Sequence, residues 1–320
     1  MQVAVQNAIT FGAKAVNCSF NNSTGDRSLT AFDQFMDRMV RNNRTTIVVS
    51  IGNNGRPCAG DGLIRTPAKA YNVISVGAFD DHNTQTWNDD SIWPCVPNTG
   101  PSSVNGDREK PEVVAPGVLI RSTLTGPPWT EQFVFGGPTG TSMAAPHVTG
   151  EVALMISREK ALKYKPEVIK AIVMASAGHG VPPFDKSLEG SGAISASWAD
   201  DVVRGTLGTW GEATYDCLSP SPFFVTNIPL LGGVLTRVAI AWSTTHNYFN
   251  YFAQPSADLN LVVLDPAGNS VNPFGNSYDN TFEWIEFVPA STNVYTLQIA
   301  RRRCDVVPNG VVGYAWWQLH

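Results

Sequence analysis

The chain has 320 residues, of which 43% are hydrophobic and 15% charged, and its formal net charge at pH 7 is -5. This length allows one large domain or two ordinary ones, and the apolar content is high enough for a buried core. The acidic balance argues against nucleic-acid binding, since the run Arg301-Arg302-Arg303 is isolated. No apolar stretch approaches the length of about 18 residues that predicts a membrane span.

Residues 1–204 are predicted to form an α/β domain. Thr30 and Asp33 resemble a capping box near the start of one helix, and Pro166 suits the first turn of another. Because strands alternate with helices and one strand is a short continuous apolar run, we expect a mostly parallel sheet with helices on both faces. The predicted strands are 15–20, 47–51, 73–77 and 113–114, and the predicted helices are 29–41, 142–158 and 166–177.

Helical periodicity disappears after about residue 205, and apolar and polar residues then alternate with the period of two that is typical of strands. The segment 265–269 (DPAGN) has the composition of a turn between two strands. Residues 205–320 are therefore predicted to form an antiparallel β-sandwich. Its predicted strands include 237–242, 258–264, 295–299 and 311–316.

The N-terminal segment has no basic region followed by an apolar core, so it lacks the pattern of a signal peptide. Instead, a helical pattern runs directly into the first predicted strand, without a lead-in. We therefore expect that the fold begins upstream of Met1.

Five cysteines occur without a paired C-x-x-C spacing, which argues against a zinc site. Cys58 and Cys95 lie in loop-like segments, and Cys217 and Cys304 bracket the C-terminal region. For an exported protein this arrangement favours two disulfides, 58–95 and 217–304, over five free thiols. Cys18 lies in an apolar run and is predicted to be a small buried side chain.

The segment 140–150 (GTSMAAPHVTG) carries the strongest chemical signal. Ser142 would begin a buried helix, where unsatisfied backbone N–H groups and the helix dipole stabilise a developing oxyanion. Gly140 allows a substrate carbonyl to approach the backbone closely. Ala144 is small enough for tight helix packing, and Pro146 still lies in the first turn, where its missing N–H costs nothing.

This segment closely resembles the nucleophile signature of the subtilisin-like serine proteases (subtilases, peptidase family S8), which implies that Ser142 is the nucleophile. The segment 50–55 (SIGNNG) is similar to the strand and Gly-Asn turn whose asparagine donates to the oxyanion in that family. The resemblance implies that Asn53 is this donor. Taken alone, Asn53-Asn54-Gly55 would also suit an ordinary turn.

Three further segments extend the resemblance to residues 1–200 or so. Residues 110–117 (KPEVVAPG) match a strand and turn of the family, and residues 190–196 resemble the end of its catalytic domain. Residues 16–21 resemble its substrate-binding edge, with Phe20 and Asn21 in place of Leu and Gly, which changes the expected shape of the cleft. The implied substrate-binding residues are Ser19, Phe20, Asn21, Gly52, Gly140 and Thr141.

The family's triad runs Asp, His, Ser along the chain, yet neither the D-[ST]-G nor the H-G-T motif precedes Ser142. His82 is predicted to be a solvated loop residue, His147 a packing residue of the serine helix, and His179 a helix C-terminal cap residue. A serine hydroxyl is a weak nucleophile without a base. The chain is therefore either a truncated copy of an active protease, favoured by its abrupt start, or an inactive relative.

The C-terminal region more weakly resembles the β-sandwich domains that follow many secreted bacterial subtilases, some of which bind calcium. Asp258, Asp265 and Asp305 lie near predicted loop ends, where turn-forming and solvated carboxylates are the simpler interpretation. We therefore assign no cofactor and no metal site, and calcium binding stays unassigned.

The resulting hypothesis is a secreted, extracellular serine endopeptidase that hydrolyses peptide bonds through an acyl-enzyme on Ser142. Its expected partners are a protein or peptide substrate and the missing N-terminal part of its own domain. The alternative is a non-catalytic binding or adhesion protein on an inactive protease scaffold. In that case an aromatic-rich sandwich, with Trp242, Trp284, Trp316 and Trp317, would carry the binding.

Overall fold

A computed structural model describes residues 1–22, 26–122, 137–271, 277–306 and 310–319. Its α-helices are α1 (Gln2–Thr10), α2 (Ala31–Asn43), α3 (Thr141–Arg158), α4 (Pro166–Ser176), α5 (Lys186–Glu189) and α6 (Ala196–Arg204). Its strands are β1 (Ala15–Cys18), β2 (Thr46–Ser50), β3 (Ile74–Asp80), β4 (Ser91–Ile92), β5 (Val113–Pro116), β6 (Gly208–Tyr215), β7 (Phe224–Leu230), β8 (Thr236–Trp242), β9 (Ala257–Leu264), β10 (Phe282–Phe287), β11 (Asn293–Cys304) and β12 (Gly310–Gln318).

The first sheet is mostly parallel, as the sequence predicts. β1, β2, β3 and β5 pair in parallel, with β2 and β5 both bonded to β3. β4 pairs antiparallel with the end of β3 and was not predicted, because two residues are too few to show a period. The helix α3 packs across β1, β2, β3 and β5, and α2 packs against β2.

Local sequence signals explain where the helices begin. The predicted capping box of α2 is confirmed: the Thr30 side chain accepts from the Asp33 N–H, and the Asp33 carboxylate accepts from the Thr30 N–H at 2.8 Å. Pro166 occupies the first turn of α4, as predicted. The buried face of α3 consists of Thr141, Ala144, Ala145, Val148, Glu151, Val152 and Met155.

The C-terminal strands form two antiparallel sheets. One has the order β10-β8-β12-β6 and the other the order β7-β11-β9. Apolar side chains from both sheets, among them Trp242, Leu259, Leu297 and Val312, form one buried cluster. The alternating pattern of residues 205–320 thus produced antiparallel strands with one common core.

The helix α4 joins the two parts of the chain, since all its residues are buried and it packs against both β8 and β12. From β8, the buried Arg237 donates hydrogen bonds to the carbonyl oxygens of Ala177 and Ser191. The core of the first part also includes Ala315 and Trp317 of β12. The C-terminal sheets therefore cover a face of the α/β layer.

Both predicted disulfides are present, Cys58–Cys95 and Cys217–Cys304, and Cys18 is free and buried, as expected. Among the residues that the structure describes, no helix combines the length and the apolar character needed to cross a bilayer.

Glu151 is an acidic residue on the otherwise mostly apolar buried face of α3. Its side chain is 2% exposed, and neither oxygen has a hydrogen-bond partner among the described residues. Burial raises the pKa of Glu151 to about 8 from an ordinary value of 4.5. The folded protein therefore holds a proton that the unfolded chain releases.

This proton makes stability depend on pH. Between pH 4.5 and 8 the folded state binds more protons at Glu151 than the unfolded state, so the free energy of unfolding falls as pH rises. At pH 7 the difference amounts to about 3 kcal/mol. We expect Glu151→Gln to remove most of this decline, measured by urea unfolding at pH 5, 6, 7 and 8. Parallel pH profiles for the two proteins would contradict the prediction.

The interface between α4 and the strands β8 and β12 leads to a second prediction. A fragment of residues 1–204 would expose the apolar face of α4 that β8 and β12 cover in the full chain. We expect the fragment to bind a hydrophobic dye strongly and to aggregate under conditions in which the full chain does not. A monodisperse fragment with a cooperative thermal transition and no dye binding would refute this expectation.

Candidate active site

The site lies at the N-terminus of α3, where the chain passes close to the end of β2. Gly140, the residue before the helix, has φ of 155°, and its N–H donates to the Gly117 carbonyl at 2.8 Å. A Cβ atom at Gly140 would lie 2.9 Å from Asn53 Nδ2. A side chain at this position would therefore displace the Asn53 carboxamide.

Thr141 fixes the orientation of the Asn53 carboxamide. Asn53 Oδ1 accepts hydrogen bonds from the Thr141 N–H at 2.9 Å and from Thr141 Oγ1 at 2.8 Å. The fully buried Thr141 hydroxyl also lies 3.1 Å from the Gly52 carbonyl and accepts from the Gly52 N–H at 3.2 Å. Because Oδ1 is occupied, the exposed end of the Asn53 side chain offers its NH2 group as the donor.

Ser142 follows directly, and its side chain is half-buried. Its Oγ donates to the Ser19 carbonyl at 3.3 Å, and Ser19 Oγ donates back to the Ser142 carbonyl at 2.8 Å. The end of β1 is thereby held against the start of α3. The Ser142 hydroxyl thus bonds to a carbonyl oxygen, which cannot serve as a base.

The other predicted substrate-binding residues lie around this point. Phe20 is half-buried and stacks on Phe32 of α2, with ring centroids 6.4 Å apart. Asn21 Nδ2 donates to the Ser50 carbonyl at 2.6 Å, so its side chain connects the segments that follow β1 and β2. Gly52 is buried, whereas the following residue, Asn53, is exposed.

The described histidines make their hydrogen bonds elsewhere than at Ser142. His82 lies in an exposed loop near Asp80, and its Nδ1 is 3.5 Å from the Asp80 carboxylate. The prediction that His147 is a packing residue is wrong: it lies on the solvent side of α3, because it is one residue, or about 100° of helix rotation, away from the buried Val148.

His179 was expected at a helix C-terminal cap, but α4 ends at Ser176 with Ala177 as the cap. Instead, His179 Nε2 lies 2.9 Å from Asp90 Oδ2, and the His179 ring packs on Trp87. Sequence reasoning missed this pair because its members are 89 positions apart and no motif connects them.

Two of the three acidic residues near predicted loop ends, Asp265 and Asp305, have hydrogen-bond partners within the protein. Asp265 accepts from the Ala267 and Asn269 N–H groups of its turn, and these hydrogen bonds lower the pKa of Asp265. Asp305 accepts from the Tyr248 hydroxyl at 2.5 Å. In the described part of the chain, no three His, Cys, Asp or Glu side chains are grouped so that they could hold a metal ion.

The Thr141 hydroxyl provides a direct test of this geometry. Thr141→Val keeps the shape but leaves the buried Gly52 N–H without its acceptor. We expect the free energy of unfolding to fall by about 1–3 kcal/mol, in urea unfolding at neutral pH. Thr149→Val, in a less buried position of the same helix, serves as the control. An unchanged stability in Thr141→Val would contradict the described hydrogen bonds.

Comparison with known proteins shows to which family the chain belongs. The model of the subtilase family (peptidase S8) matches residues 1–204. The chain is 30% identical over 151 residues to subtilisin E of Bacillus subtilis (strain 168). This alignment covers 47% of this chain and 32% of subtilisin E. It is 28% identical over 217 residues to pyrolysin of Pyrococcus furiosus, which covers 56% of this chain and 15% of pyrolysin.

Among solved structures, the patellamide maturation protease PatA aligns with a TM-score of 0.49 and 22% identity, covering 64% of this chain and 68% of that chain. The chain spans less than half the length of the two relatives named above. Because the family model covers more than half of the chain and includes the Ser142 motif, this protein belongs to the subtilase family of serine proteases.

Proposed function

We propose that this chain carries the nucleophile and the oxyanion donors of a serine endopeptidase. The observation that carries the proposal is the position of Ser142 at the N-terminus of α3, beside an Asn53 carboxamide that Thr141 holds by its oxygen. Ser142 Oγ would attack the peptide carbonyl carbon; the C–N bond would then break, the amine would take up a proton and leave, and an acyl-enzyme on Ser142 would remain. The Asn53 NH2 group and the Ser142 N–H would stabilise the negative oxygen.

This chemistry needs a base that accepts the proton of the Ser142 hydroxyl. We propose that a further polypeptide segment, which carries the Asp and His motifs of the family, supplies it. Two facts support this part of the proposal. In the described residues Ser142 Oγ bonds only to a carbonyl oxygen, and the matched stretch amounts to 32% of subtilisin E.

The surface beside Ser142 has room for such a segment. Within the described residues, β1 pairs with β2 alone, so its other edge is open to a further strand. The neighbouring face of α3 exposes Pro146, His147 and Leu154, the last with 63% of its surface. Since parallel strands end at the same sheet edge, a strand added next to β1 would deliver its last residues near Ser19 and Ser142.

The C-terminal strands belong to the same proposal. We propose that the two antiparallel sheets, which have one buried apolar cluster in common, form a β-sandwich that covers α4. We also propose that the protein is exported, since its two disulfides are typical of oxidising compartments.

The alternative of a non-catalytic binding protein gains no support from the four tryptophans. Trp242 and Trp317 are 1% and 0% exposed, and Trp316 is 7% exposed. Trp284 is half-buried, and the Arg237 guanidinium lies 4.5 Å from its ring centroid. These side chains pack in the core and at the interface between the α/β part and the C-terminal sheets. They do not form an exposed aromatic platform.

A fluorophosphonate probe, which labels activated serines, tests the proposal. We expect labelling of the chain to be slow alone and to rise by about 10²–10⁴-fold when it is co-expressed with the region encoded upstream of Met1 in its gene. Ser142→Ala should abolish labelling, whereas Ser157→Ala, on the exposed side of the same helix, should not.

Two results would overturn the proposal. Equal labelling of Ser142→Ala and the unaltered chain would remove Ser142 as the nucleophile. An upstream region without Asp and His motifs, together with unchanged labelling, would identify the protein as an inactive relative.

A further inference from the structure

The loop between β4 and β5 and the segment before β10 hold each other by reciprocal hydrogen bonds. The Asp107 carboxylate accepts from the N–H groups of Tyr278 and Asp279, at 2.7 and 3.1 Å. In return, the Asp279 carboxylate accepts from the Asn105 N–H at 2.7 Å and from Asn105 Nδ2 at 2.9 Å. Because the loop belongs to the α/β part and the segment to the C-terminal sheets, these bonds connect the two parts in addition to α4.

The Asn105 carboxamide is a neutral donor in a contact that already contains two carboxyl groups. Asp279 is buried, burial also raises the pKa of Asp107, and the nearby Asp279 carboxyl adds to this effect. The Asn105 NH2 group supplies Asp279 with a hydrogen bond at no cost in charge. A carboxylate in place of this amide would remove the hydrogen bond and add a further negative charge.

Asn105 is followed by glycine, and the pair Asn105-Gly106 lies in the open. Both residues are exposed, and the Gly106 N–H has no hydrogen-bond acceptor among the described residues. A Cβ atom at Gly106 would meet nothing within 4 Å. The Gly106 nitrogen is therefore free to approach Cγ of Asn105, and it carries no side chain that would obstruct the approach.

A second Asn-Gly pair, Asn54-Gly55, is held in place. Gly55 is buried, and its N–H donates to the Cys95 carbonyl at 2.8 Å. Asn54 Nδ2 donates to Asp61 Oδ1 at 2.6 Å and to the Leu63 carbonyl at 2.8 Å. The nitrogen and the carboxamide of this pair can react only after these hydrogen bonds have opened.

We propose that Asn105 is a site of spontaneous deamidation, and that its conversion weakens the contact between the two parts of the chain. The Gly106 nitrogen attacks Asn105 Cγ, so that a new C–N bond forms and the Cγ–Nδ2 bond breaks. The Gly106 proton passes through water to the departing nitrogen, which leaves as ammonia. Water then opens the five-membered imide, on one side to aspartate and on the other to isoaspartate. Either product carries a carboxylate where Asp279 now has a donor.

Peptide mapping of the full chain during incubation at pH 8 tests the first half of the inference. Mass spectrometry and enzymatic methylation of isoaspartate follow each asparagine with time. Two asparagines are internal controls: Asn54 precedes a glycine but is held, and Asn83 is exposed but precedes Thr84. We expect Asn105 to convert about tenfold or more faster than Asn54, because several hydrogen bonds must open first at Asn54. It should also convert faster than Asn83, where the branched Thr84 side chain obstructs the nitrogen.

Thermal unfolding tests the second half. The converted chain is separated by ion exchange and compared with the unaltered chain and with Asn105→Asp, which imitates the aspartate product. We expect both to unfold at a temperature lower by about 2–4 °C or more. Asn83→Asp is the matched control, since it adds the same charge to an exposed loop and should leave the unfolding temperature unchanged.

Two results would overturn the inference, and neither depends on the proposed function of Ser142. If Asn105 stays intact, or converts no faster than Asn54 and Asn83, it is not a deamidation site. If Asn105 converts but the converted chain and Asn105→Asp unfold at the same temperature as the unaltered chain, the conversion does not weaken the contact.

Discussion

The buried carboxylate of Glu112 connects the sheet to α4 and so to the C-terminal strands. One oxygen accepts from Lys110 and Lys170, each at 2.6 Å, and the other accepts from the Ser75 N–H at 2.8 Å. Burial alone would raise the pKa of Glu112, but the two lysines outweigh it and lower the pKa to about 2. A charged group without water is tolerable only when it is paired in this way. Removing either lysine from this cluster would leave the carboxylate poorly compensated.

The same cluster determines how the two parts of the chain meet. Lys170 belongs to α4 and also donates to the carbonyls of Tyr71 and Val73, at 3.0 and 3.1 Å. The Lys170 ammonium lies 5.0 Å from the centroid of the Phe282 ring, in the strand next to β8. Ionic contacts therefore anchor one side of α4, while the apolar residues of β8 and β12 cover the other. The C-terminal sheets therefore stabilise the α/β layer by covering α4.

In the proposed function, the chemistry at the N-terminus of α3 is incomplete. Hydrogen bonds around Thr141 hold the Asn53 side chain, the proposed oxyanion donor, in place before any substrate arrives, which is the arrangement that electrostatic stabilisation requires. No base within the described residues is hydrogen-bonded to the Ser142 hydroxyl, which donates to the Ser19 carbonyl. In the proposed function, the oxyanion donors are thus preorganised near the unpaired edge of β1 in the described sheet, and general-base catalysis would depend on a segment that occupies that edge.

Local sequence determined much of the secondary structure and the family. Hydrophobic period, capping residues and the segment around Ser142 were sufficient to predict the family and these elements: α2, α3, α4, the parallel strands, and the C-terminal strands β8, β9, β11 and β12. Each of these signals is contained within a few consecutive residues.

Only the tertiary structure decided which distant groups meet. The Asn53–Thr141 bond joins residues 88 positions apart, and the His179–Asp90 pair joins residues 89 apart. The burial of Glu151 and the bridge from Asn21 to Ser50 likewise depend on how separate elements pack. A local period specifies which face of an element is apolar, but it does not specify the neighbour that this face will meet. Orientation, pairing and pKa are therefore decided by long-range contacts.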